Sequence, residues 1–131
     1  MQQNEKMFEE IYQAFLRTYR NQATRKDTAN YLSSVYAMYK PSTYMRYLDS
    51  FLHMMDGTQF ASVVPINLSV YLLQCIERDF GVSALQQALL AEKQHIQYYY
   101  DVCGSASKGL RTALQALASQ HDLRIDFSTP Y

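Results

Sequence analysis

Apolar residues recur along this chain at spacings of three and four, and very little interrupts them. Only 4 glycines and 3 prolines occur in 131 residues. A many-stranded fold needs a turn every few residues, and turns consume glycine and proline. Long amphipathic runs with so few breakers fit helices. The expected architecture is all-α: a compact single-domain bundle of five or six helices spanning residues 1–131, with a short extended C-terminal tail.

The stretch from Asp27 to Met55 organises the rest. Asp27 reads as an N-cap, and Leu32, Val35, Tyr36 and Tyr39 fall at i, i+3, i+4 and i+7. Lys40-Pro41 stops that helix, because proline disfavours helical geometry in the residue before it. Ser42 or Thr43 is placed to cap a second helix carrying Leu48, Phe51, Leu52 and Met55, which Asp56-Gly57 ends. In outline this pair resembles a DNA-binding helix-turn-helix, with Thr43, Tyr44, Arg46 and Tyr47 near the start of the second helix. The KPST link departs from that pattern: it is longer than such a turn and has no glycine.

Around the pair, the spacing predicts a first helix over residues 5–21 with Phe8, Ile11, Tyr12, Phe15, Leu16 and Tyr19 on its inner face. Residues 58–66 read either as a helical turn or as an extended piece laid over the core. Asn67 is the expected cap of a helix reaching Phe80, and Ser83 opens a longer one reaching Cys103. A last helix covers residues 107–120. Beyond it, Leu123, Ile125 and Phe127 alternate with polar residues. That period of two predicts an extended segment, packed on the bundle or paired with a partner.

Twelve basic and twelve acidic residues cancel. The distribution is uneven: Arg17, Arg20, Arg25, Lys26, Lys40 and Arg46 face one acid, Asp27, across residues 17–46, a local charge of +5. Tyrosine is abundant, with 12 Tyr and no Trp. Its ring wants burial and its hydroxyl wants a partner, so it suits half-buried and interface positions. Tyr98-Tyr99-Tyr100 cannot share one helical face, since successive side chains diverge by ~100°. At least one of the three is expected at the surface unless that helix is covered all round.

Glu92-Lys-Gln-His95 is one Glu-x-x-His unit, whereas di-metal bundles pair two of them. Glu92 lies on an apolar face, and a buried carboxyl bonded to a tyrosine hydroxyl is the plainer expectation. His53, His95 and His121 lie on different elements, no Cys-x-x-Cys occurs, and the glycines are isolated. No metal, cofactor or catalytic set is expected. Cys75 and Cys103 read as buried thiols of a cytoplasmic protein. The N-terminal MQQNEKMFEE has no basic-then-apolar signal pattern, and no run is apolar for long enough to span a bilayer.

The sequence therefore points to a non-enzymatic interaction protein: an adaptor, inhibitor or assembly subunit that binds another protein or macromolecular complex. Tyr44, Tyr47, Tyr98, Tyr99 and Tyr100 are its expected contact residues. The alternative is nucleic-acid binding through Arg17, Arg20, Arg25, Lys26, Lys40 and Arg46, with tyrosines between the cations to stack on bases.

Overall fold

The computed structural model describes residues 3–131. Six helices make an all-α bundle: α1 (Gln3–Tyr19), α2 (Arg25–Val35), α3 (Pro41–Asp56), α4 (Ile66–Phe80), α5 (Val82–Cys103) and α6 (Lys108–Gln120). No β-strand occurs among the described residues. The longest helix, α5, packs against α3, α4 and α6, while α1 closes the other side against α2, α3 and α4.

The apolar stripes account for this arrangement. Ile11, Tyr12, Phe15 and Leu16 of α1, Leu48, Phe51 and Met54 of α3, and Leu68, Leu72 and Ile76 of α4 are all buried together. Leu85, Ala88, Leu89 and Ile96 of α5 complete the centre. Aromatic rings interlock there: Phe51 meets Tyr12 edge-on at 5.9 Å and Phe15 at 5.7 Å. Removing any one of the large side chains would leave a cavity, which typically costs about 3–5 kcal/mol for an aromatic.

The α2–α3 pair exists, but its boundaries differ from those read in the sequence. Thr24, not Asp27, caps α2: its hydroxyl accepts the Asp27 N–H at 3.1 Å. Asp27 lies inside the first turn, where its charge still meets the positive end of the helix dipole. The helix stops at Val35, six residues before Pro41. Side chains take the carbonyls that a longer helix would have used. The Tyr44 hydroxyl donates to the Tyr36 carbonyl at 2.8 Å, and Ser33 donates to the Tyr39 carbonyl at 3.1 Å. Val35 is consequently exposed, and Tyr36 and Tyr39 pack from a loop. Pro41 opens α3, with Lys40 as its extended N-cap, so Ser42 and Thr43 sit in the first turn instead of capping it.

Gly57 ends α3 as expected. Its φ of 72° lets the Thr58 N–H reach back to the His53 carbonyl at 2.9 Å and the Gly57 N–H to Met54 at 3.2 Å. Residues 58–65 are irregular, with Phe60 and Val64 pressed into the core, so the extended alternative holds. Ser50 of α3 fixes this loop by donating to the Ser62 carbonyl at 3.0 Å. Pro65 takes the cap position of α4, and Asn67 lies exposed in its first turn. After α6, Ile125 and Phe127 are buried, so this segment packs on the bundle.

The α2 boundary gives a direct test. Thr24→Ala should cost about 1 kcal/mol in a denaturant titration, the usual cost of a lost side-chain cap, and Asp27→Asn should cost less than half of that. The reverse order would return the cap to Asp27.

Candidate functional site

Five polar or ionisable side chains and one thiol gather where α1 meets α4. Arg78 grips both oxygens of Glu9, at 2.9 and 3.1 Å, and also reaches Asp79 at 2.9 and 3.0 Å. The Tyr71 hydroxyl donates to Glu9 at 2.7 Å, the Tyr12 hydroxyl donates to Asp79 at 2.8 Å, and the Cys75 thiol sits 3.8 Å from Glu9. The electrostatics are those of a clasp. Hydrogen bonding to Arg78 holds the Glu9 carboxyl down at about 2 and also lowers Asp79, so neither is poised to move protons near neutrality. Burial pushes the Cys75 thiol up to about 12, which leaves it protonated and a poor nucleophile. Glu9 and Arg78 are 69 residues apart. No local pattern pairs them, and only the α1–α4 packing brings them together.

Glu92 and His95 lie one turn apart on α5, both buried. His95 is fixed from the 58–65 loop: its Nδ1 lies 2.8 Å from the Phe60 carbonyl and its ring stacks on Phe60 at 4.4 Å with 10° between planes. Burial lowers its pKa, so the ring is neutral and its Nδ1–H donates to that carbonyl. Glu92 is buried as expected, but the tyrosine partner is missing: its Oε2 has no hydrogen-bond partner. With burial as the one cause, its pKa rises to about 8, so the acid is neutral at pH 7. Among the described residues, no three His, Cys, Asp or Glu side chains gather in a way that could hold a metal ion.

The sequence-predicted contact residues do not come together as one surface. Tyr44 is fully buried, edge-on to Tyr39 at 5.4 Å, and its burial raises its pKa to about 12. It belongs to the core and is removed from the docking surface. Tyr47 is half-buried against the same Tyr39 ring at 5.2 Å. Tyr98 and Tyr99 are half-buried and Tyr100 is exposed, its ring 5.8 Å from that of Tyr131. Val102, 64% exposed, continues this apolar end of α5, and Cys103 beside it is exposed, against the expectation of a buried thiol. The tyrosine triplet did signal this end of α5, whereas Tyr131 and Val102 carry no periodic signal.

The six basic side chains are all exposed. Arg17 lies over the Tyr31 ring at 5.8 Å and Arg20 over Phe80 at 6.0 Å, while Arg25 pairs with Asp49 of α3. Lys26 lies in the first turn of α2, and Lys40 is the N-cap of α3. Next to Arg25, an open recess of about 760 Å³ is also lined by Asp27 and Asp56, whose carboxylates oppose a phosphate there.

The buried acid yields a pH prediction. Its native pKa lies above the ordinary 4.5, so between pH 4.5 and about 8 the native state holds a proton that the unfolded state has lost. Stability should then fall with rising pH through that window, at up to about 1.4 kcal/mol per pH unit, and Glu92→Gln should remove this component. Thermal melts of both proteins at pH 5, 6.5 and 8 check it; a wild-type minus variant difference that does not change with pH would refute it. Comparison of the chain with family models, curated proteins and solved structures gives no match to any of them.

Proposed function

We propose that this chain is a non-enzymatic interaction protein that docks a larger macromolecular partner through the tyrosine-bearing end of α5. The observation behind this reading is the exposed pair Tyr100 and Tyr131, 36% and 69% exposed, whose rings meet at a tilt of 44°, next to exposed Val102. Rings held against each other present apolar area with little rotamer freedom left to lose, and tyrosine is enriched where binding energy concentrates. Tyr98 and Tyr99, half-buried, anchor this end to the bundle. Two free cysteines fit a cytoplasmic setting. No helix of the described residues is long and apolar enough to cross a membrane.

Nucleic-acid binding through Arg17, Arg20, Arg25, Lys26, Lys40 and Arg46 is the second reading. It draws on their common exposure and on the guanidiniums of Arg17 and Arg20, which lie over rings and form no ion pair among the described residues. Against it stand the Arg25–Asp49 pair and the carboxylates beside Arg25.

Tyr100→Ala combined with Tyr131→Ala should leave the helical circular dichroism unchanged. It should weaken capture of the partner from nuclease-treated lysate of the native source by about 2 kcal/mol, the scale of an interface hot spot. Undiminished capture would refute the docking surface. Sub-micromolar binding to duplex DNA at ~0.15 M salt, abolished by Arg25→Ala with Lys26→Ala and falling steeply with salt, would instead establish the second reading.

A further inference from the structure

The segment after α6 is held in an unusual way for a stretch that merely covers a core. Ile125 and Phe127 are buried while Asp126 between them is exposed, the alternation of an extended chain. Two side chains one turn apart on α6 read its main chain. Gln115 donates from Nε2 to the Ile125 carbonyl at 3.1 Å and accepts the Phe127 N–H on Oε1 at 2.9 Å. Arg111 donates from Nη1 to the carbonyls of Phe127 and Ser128, at 3.2 and 2.9 Å. Its guanidinium is oriented by the Ala106 carbonyl, which accepts from Nε at 2.7 Å.

A carboxamide that both donates to and accepts from one extended segment recognises backbone and is indifferent to the residues that point outward. The two buried side chains supply the selection. This division between main-chain hydrogen bonds and alternate pockets is the logic by which proteins bind extended peptides. Alongside the seated segment, α6 keeps an open trough of about 320 Å³ lined by Thr112, Ala116 and Ser119. The joint between α6 and the segment is Asp122, a non-glycine residue at φ 57°.

We propose that this face of α6 is a binding site for extended peptide segments of the pattern aliphatic-x-aromatic, with residues 123–128 occupying it in cis as a displaceable latch. The occupant from outside is a segment of that pattern in a protein partner. It takes over the same four main-chain hydrogen bonds and the same two sockets, so exchange leaves no buried polar group unpaired. The inference concerns α6 and does not require the Tyr100 surface to dock anything.

A fluorescent peptide copying residues 121–131, titrated into the full chain, tests this. The wild-type chain should bind it weakly and saturably, in competition with its own segment. Phe127→Ala in the chain should raise the affinity at least tenfold by emptying the aromatic socket, and Gln115→Ala in that background should lower it at least tenfold. Absence of saturable binding to both chains, or binding indifferent to Gln115→Ala, overturns the proposal. Should Phe127→Ala fail to fold, hydrogen exchange of the wild-type chain decides. A Phe127 amide exchanging at least a hundredfold faster than that of Leu89 in α5 marks a latch that opens locally. Equal rates make the segment part of the global core and overturn the proposal.

Discussion

Three helices converge on the side chain of Tyr12. Its ring has no exposed surface and meets Phe51 of α3 edge-on, with the Arg78 guanidinium 5.5 Å above its face. Its hydroxyl passes between α1 and α4 to donate to Asp79, and lies 3.3 Å from the Cys75 carbonyl oxygen. One residue thus fixes α1 to α3 by apolar burial and α1 to α4 by a hydrogen bond to a charged acceptor, a bond worth about 1.5–3 kcal/mol. Asp79 is in turn held by Arg78, and Arg78 holds Glu9, which accepts from Tyr71. The α1–α4 contact is therefore a connected polar network seated on the rim of the aromatic core, and the position of α4 determines where α5 and its tyrosine-bearing end project.

The two carboxyls with the largest displacements act on stability in opposite senses. Glu9 is held down to about 2 by Arg78, so the stability it contributes is present above its ordinary 4.5 and is lost as pH falls through that interval. Glu92 is buried without a charged neighbour, and its contribution is lost as pH rises from 4.5 through about 8. The bundle should be most stable in mildly acid conditions, where Glu9 is still ionised and Glu92 still protonated. Glu9 accepts from Gln13, Tyr71 and Arg78, and Glu92 Oε2 has no hydrogen-bond partner. These carboxyls shape the stability of the scaffold, and the proposed binding chemistry lies on its surfaces.

The helices were legible because their apolar residues carry the 3.6 period without interruption. Ile11, Phe15, Phe51, Leu72 and Leu89 all lie where that spacing puts them. The helix ends were less legible, since capping is a contest among neighbouring polar residues. Thr24 and Asp27 are both good caps, and the sequence does not show which hydroxyl or carboxylate reaches the open N–H. The early end of α2 was hidden for a different reason: it depends on the Tyr44 hydroxyl reaching back from α3 to the Tyr36 carbonyl. That contact also took Tyr44 out of the predicted docking set, because a tyrosine stripe looks the same whether its hydroxyls meet water or a carbonyl. The alternation of Leu123, Ile125 and Phe127 announced the extended segment, but nothing in its spacing pointed to Gln115 and Arg111 as the residues that hold it.

One network through Arg78, and not a set of independent contacts, joins α1 to α4. A double-mutant cycle on Tyr12→Phe and Tyr71→Phe measures this most directly, because the two hydroxyls bond different carboxylates that Arg78 holds together. Each substitution keeps the ring and removes one donor. A coupling energy of at least about 0.5 kcal/mol between them is expected in urea unfolding at pH 7. Strict additivity, within about 0.3 kcal/mol, would show that the two hydroxyls act separately and that the network is a list of unconnected bonds.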